Sequence, residues 1–144
     1  MKNISLYVLL LAIVSISCNK SNPVTSEHDH EHDEVKLVYT KYTDKYELFI
    51  ETDPFVKEKS STILAHFTKL NDFKPLQATS ITAYLINGDS KVEQTVAGSE
   101  KPGIYKFVLQ PDKNGAHQLI FIITGTSMVD TVKVENIVVY GDEH

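Results

Sequence analysis

From position 35 to position 140 the chain alternates apolar and polar residues in short runs and never sustains the 3.6-residue stripe of a helix. A period of two sends successive side chains to opposite faces, so each alternating run predicts a strand with one buried and one wet face. Over 45–52, Tyr46, Leu48 and Ile50 alternate with Glu47 and Glu51; over 103–110, Tyr105, Phe107 and Leu109 alternate with Lys106 and Gln110. Runs at 36–42, 62–70, 80–86, 91–96, 118–124 and 129–140 predict six further strands. In the last of these, Val132, Val134, Val138 and Tyr140 are expected on one face, with Lys133 and Glu135 on the other. Turn residues separate the runs. Asn87-Gly88-Asp89 predicts a hairpin, Pro102-Gly103 the head of a strand, and Pro111-Asp112-Lys113-Asn114-Gly115 a reversal with a residue for positive φ. This rhythm over 35–141 predicts an all-β fold, an immunoglobulin-like antiparallel β-sandwich of about seven to eight strands.

The first 34 residues follow a different pattern. Lys2 precedes an apolar run from Ile4 to Ile16, too short for the ~20 residues that span a bilayer, and this reads as a secretory signal over 1–17. The run closes in Ser15-Ile16-Ser17-Cys18, small residues followed by a thiol, and so resembles a bacterial lipoprotein signal with Cys18 as the lipid attachment. Ser15 stands where Leu is usual, and an ordinary cleavage signal or an uncleaved anchor is the competing reading. Acyl chains on Cys18 would hold the protein at a membrane surface without a transmembrane helix, each buried methylene contributing about 0.8 kcal/mol.

Residues 18–34 then read as a flexible linker, polar and with one proline, Pro23. Its second half is Glu27-His28-Asp29-His30-Glu31-His32-Asp33-Glu34, three imidazoles among five carboxylates. No core can be built from these residues, but they can surround a cation. The candidate metal ligands are His28, His30 and His32, with Asp29, Glu31 and Asp33 between them. In an extended chain the i, i+2, i+4 spacing sets the three imidazoles on one side. Such nitrogen and oxygen donors suit Zn(II), Co(II), Ni(II) or Cu(II), bound as cargo, and suit Cu(I) poorly. A solvated acidic leader is the alternative. His66, His117 and His144 are scattered singly, and the 142–144 tail, Asp142-Glu143-His144, repeats the leader's composition.

Composition narrows the function. The 14 basic residues are all lysine, and the net charge is −5. Without a basic surface or any guanidinium, nucleic acid is not an expected partner. Cys18 is the single cysteine, which excludes an intrachain disulfide and a thiolate zinc cage. The sequence has no internal repeat, GxSxG, HExxH or glycine-rich phosphate loop, so no enzymatic activity is expected.

Four ordered segments carry a family resemblance. They are Tyr46-Glu47-Leu48-Phe49-Ile50-Glu51-Thr52-Asp53-Pro54-Phe55, His66-Phe67-Thr68-Lys69-Leu70-Asn71-Asp72-Phe73-Lys74-Pro75-Leu76, Gly103-Ile104-Tyr105-Lys106-Phe107-Val108-Leu109-Gln110-Pro111 and Val138-Val139-Tyr140-Gly141-Asp142-Glu143. Together they resemble the N-terminal domain of the periplasmic adaptor subunits, or membrane fusion proteins, of resistance-nodulation-division heavy-metal efflux pumps. The resemblance implies a lipid-anchored protein on the periplasmic side of the cell envelope, handling divalent metal beside an efflux pump or its adaptor subunits. A complete adaptor continues through a lipoyl-like half-motif, a helical hairpin and a barrel. The resemblance stops before these parts, so bridging a pump to an outer channel is not expected of this chain. The competing function is a β-sandwich protein-interaction module with an incidental His-rich spacer.

Overall fold

Each of the eight alternating runs forms a strand in the computed structural model, which describes residues 35–142. The strands are β1 (Leu37–Tyr42), β2 (Tyr46–Thr52), β3 (Phe55–Val56), β4 (Ser61–Lys69), β5 (Ser80–Asn87), β6 (Ser90–Val96), β7 (Ile104–Leu109), β8 (Gly115–Thr124) and β9 (Val129–Tyr140). They make two sheets, ordered β1-β2-β4-β7 and β3-β9-β8-β5-β6. The order β2-β4-β7 facing β9-β8-β5-β6 matches the A-B-E and G-F-C-C′ sheets of an immunoglobulin-type sandwich, with β1 added as a further edge. The ninth strand, β3, is two residues long and pairs parallel to β9, Phe55 with Val139 and Val56 with Tyr140. It departs from a purely antiparallel sandwich and is too short to show any period.

Alternation explains the layering. Leu48 and Ile50 on β2, Phe67 on β4 and Phe107 on β7 point inward from one sheet, and Leu119, Phe121, Val132 and Val134 from the other. All are buried, and each such aliphatic or aromatic side chain contributes about 1.5–3 kcal/mol when removed from water. Phe121 sits where the sheets meet, with ring centroids 5.5 Å from Phe67 and 5.6 Å from Phe107. At the paired edges, Gln94 on β6 reaches across the layers and its Oε1 accepts from the backbone N–H of Val108 on β7 at 2.6 Å. This satisfies a donor that an edge strand would otherwise present to another chain.

The expected facing of β9 holds for only half of its length. Val132 and Val134 are inside, yet Val138 and Tyr140 are exposed, at 45% and 50%, while Ile137 and Val139 are buried. The cause is a bulge. The register with β8 shifts between His117 and Leu119, and Asn136 opposite takes φ 60, a left-handed conformation that Asn tolerates better than most residues. One extra residue reverses every later side chain. The β5–β6 hairpin forms as expected, Asn87 pairing with Ser90 across two loop residues, with Gly88 at φ 59.

Candidate functional site

Cys18 and the candidate ligands His28, Asp29, His30, Glu31, His32 and Asp33 lie outside the described residues, as does His144. Val35 lines a hollow with Asp53, Pro54, Val56 and Lys59, and Lys59 forms an ion pair with Asp142 at 2.7 Å. The first and last described segments therefore meet the same corner, around β3 and the turn that follows it.

The two histidines inside the domain stand apart. His66, on β4, lies half-buried on the outer face of its sheet, its ring edge-on to Phe49 with centroids 5.5 Å apart. Its Nε2 is 3.3 Å from Glu51 Oε2, close enough for attraction but misaligned for a hydrogen bond. His117, on β8 at the bulge, is 3% exposed, and its Nδ1 is 3.0 Å from the Gly115 carbonyl. A carbonyl oxygen only accepts, so Nδ1 carries the proton, and in the neutral ring Nε2 is a buried lone pair with no protein partner among the described residues. A transition metal in a protein needs about four donors, three of them from side chains even at an open site. No group of three His, Cys, Asp or Glu is gathered among the described residues, so each of these histidines is a single donor.

Sequence reasoning did not find the polar constellation at the opposite end. The Thr43 hydroxyl accepts from the N–H groups of Lys45 and Tyr46, at 3.2 and 2.9 Å, and this turns the chain from β1 into β2. Tyr46 then donates its hydroxyl to Asp130 Oδ2 at 2.9 Å, while Lys45 Nζ lies 2.7 Å from Oδ1 of the same carboxylate. These residues line a hollow of about 430 Å³ with Asp44, Leu70 and Met128. Burial, and after it the bond to Asp130, pushes the Tyr46 phenol up to about 12. The hydrogen bond from Lys45, followed by that from Tyr46, holds the Asp130 carboxyl below its ordinary 3.8. A phenol shifted upward is a poor base near neutrality, and both carboxylate oxygens are occupied. The group therefore works as a clamp between sheets, β2 of one to β9 of the other.

The clamp has a pH signature. A carboxyl whose pKa falls on folding stabilises the protein above the unfolded value, and this contribution is lost as pH drops below it. Asp53, held low chiefly by Lys36, and Asp72, held low chiefly by Lys69, act in the same direction. The melting midpoint should fall between about pH 5 and pH 3, and it should fall about 2 °C less in Asp130→Asn than in the wild type, the effect being small for a solvent-screened pair. An equal fall in both proteins would show that the pair contributes nothing.

Comparison with known proteins gives no relative: no family model, no curated protein and no solved structure matches the chain. Among the described residues no helix is long and apolar enough to cross a membrane.

Proposed function

We propose that this is a non-enzymatic, lipid-anchored protein of the cell envelope that captures divalent transition metal beside a heavy-metal efflux pump of the resistance-nodulation-division type. One observation carries the reading: three histidines interleaved with five carboxylates stand immediately before a sandwich whose buried core, among the described residues, runs from Tyr46 to Val139. His28, His30 and His32 are the principal ligands, Asp29, Glu31 and Asp33 attract the cation and complete its coordination, and Cys18 carries the lipid. The resemblance of four ordered segments to efflux adaptor domains supports the periplasmic setting and the pump as partner. Gathering ligands from consecutive polar residues around one ion costs chain entropy, so affinity is modest and exchange with a neighbouring acceptor is fast, as delivery requires.

Zinc calorimetry tests the reading. Imidazole donates its lone pair only when neutral and has a reference pKa of ~6.5, so binding should be measurable at about pH 7.5 and much weaker at about pH 5.5. The interleaved carboxylates also favour the protonated ring and bring the loss of binding toward neutrality. Changing His28, His30 and His32 together to Ala should remove most of the affinity. Undiminished binding in that variant, or equal affinity at the two pH values, would end the proposal. The competing reading, a protein-interaction module with an incidental spacer, draws on a different feature, the outer face of the β3-β9-β8-β5-β6 sheet.

A further inference from the structure

We propose that this outer face is a self-association surface, and that its occupant is a second copy of the chain related by a two-fold axis. The first observation is β8. Leu119, Phe121 and Ile123 are buried between the sheets, but Ile120 and Ile122, which alternate with them, point outward. A strand facing water on one side carries polar residues there, whereas a continuous apolar run marks a strand covered on both sides. The neighbouring β5 repeats the departure. Tyr84 and Ile86 share the outer face, Tyr84 directly beside Ile120. All four side chains are half-buried, with no second layer over them among the described residues. Residues 19–34 contain Pro23 and Val24 as their only apolar side chains, so their composition offers no apolar surface to match this face.

The second observation selects the occupant. Read across β6, β5, β8 and β9, one row of the face is Glu93, Tyr84, Ile120, Lys133. The next row is Lys91, Ile86, Gln118 and, across the bulge, Glu135; Ile86, Gln118 and Glu135 also line one hollow. Each row carries opposite charges at its two ends, and the sign reverses from one row to the next. A two-fold axis parallel to the strands, between β5 and β8, lays β6 of one copy over β9 of the other. Glu93 then meets Lys133 of the second copy, Lys91 meets Glu135, and the apolar centres stack, each contact occurring twice as an isologous interface requires. Within one chain Lys91 and Glu93 pair with each other at 2.7 Å, and Lys91 lies 4.4 Å from the centroid of the Tyr84 ring. Lys133 and Glu135 make no ion pair with a described residue.

Strands about 4.8 Å apart and rows about 6.8 Å apart give this face roughly 500 Å² per copy. The total of ~1,000 Å² is at the lower bound for a specific interface, so the dimer is weak, with a dissociation constant of about 10–100 μM.

The decisive experiment is charge exchange, followed by sedimentation velocity on residues 19–144, which retain every core side chain found among the described residues. The wild type should show a concentration-dependent monomer–dimer equilibrium that weakens with salt. Lys133→Glu alone sets two like-charged pairs against each other and should weaken the dimer about tenfold, as should Glu93→Lys alone. Mixed together, the two variants regain both pairs, Glu93 of one with Lys133 of the other and the two substituted positions with each other, so the heterodimer should return to near wild-type affinity. Ile120→Lys, at an outward position, should abolish dimerisation with little change in melting midpoint. A wild type that stays monomeric to several hundred micromolar (about tenfold above the expected constant), or single variants whose mixture does not associate better than either alone, would overturn the proposal.

Discussion

Replacing Phe121 with Ala should lower stability by about 3–5 kcal/mol and the melting midpoint by roughly 15 °C or more. Phe121 is fully buried and is the aromatic from its sheet that meets Phe67 and Phe107 of the other. Its removal takes away the transfer energy of a benzyl group, the edge contact with Phe67, the tilted contact with Phe107 and the dispersion contacts of the surrounding side chains. The cavity cannot collapse easily, because its walls are strands held on each side by ladder hydrogen bonds. Total stabilities of domains this size are only about 5–15 kcal/mol, so this one change removes a large fraction. Ile120→Ala on the same strand is the internal control. It deletes a half-buried outward side chain and should cost less than half as much. Equal costs at 120 and 121 by chemical denaturation would mean that the two faces of β8 are buried alike in solution.

Strand identity was readable wherever burial was one-sided. Tyr46, Leu48 and Ile50 alternate with Glu47 and Glu51 because only one face of β2 meets the core, and period two follows from that geometry. What escaped sequence reading had no period to reveal it. The pairing of β3 depends on Val139 and Tyr140, more than eighty positions away, and a dipeptide after Pro54 gives no local signal (separation 84). The reversal of Val138 and Tyr140 comes from a bulge at Asn136, a residue that also suits turns and so does not announce itself within a strand. The Tyr46 to Asp130 bond likewise joins residues 84 apart, through two sheets whose mutual approach no local pattern encodes. The apolar outer face was different. Its signal, the unbroken run from Leu119 to Ile123, is plain in the sequence, but a continuous run identifies a strand without saying whether its second face is covered. The proposed metal-ligand run, His28 to Asp33, rests on composition alone, a signal that needs no fold and that the described residues do not include.

Gly103→Ala should be the most damaging single-methyl addition in the domain, costing about 3 kcal/mol. Two effects combine. Gly103 has φ 78, where a Cβ meets its own backbone, a penalty of about 1–2 kcal/mol for any L-residue. In addition, a Cβ there would lie 2.8 Å from Pro75 Cβ and 2.9 Å from the Phe67 carbonyl oxygen, neither of which is the free end of a flexible side chain. The Phe67 carbonyl accepts from Leu76 N at 2.9 Å, and the Gly103 carbonyl accepts from Phe67 N at 2.8 Å, so the three segments are already tied together. Displacing Pro75 would drag Leu76, which is buried in the core and whose carbonyl accepts from the Tyr105 hydroxyl at 3.2 Å. The methyl therefore strains a network that runs from the head of β7 through β4 to the loop before β5. Gly98 separates the two effects, for it has φ 87 but no atom within 4 Å of its would-be Cβ. Gly98→Ala should incur the backbone penalty alone, about 1 kcal/mol. Equal losses for the two variants in urea denaturation would show that Pro75 yields freely and that the close approach at Gly103 carries no cost.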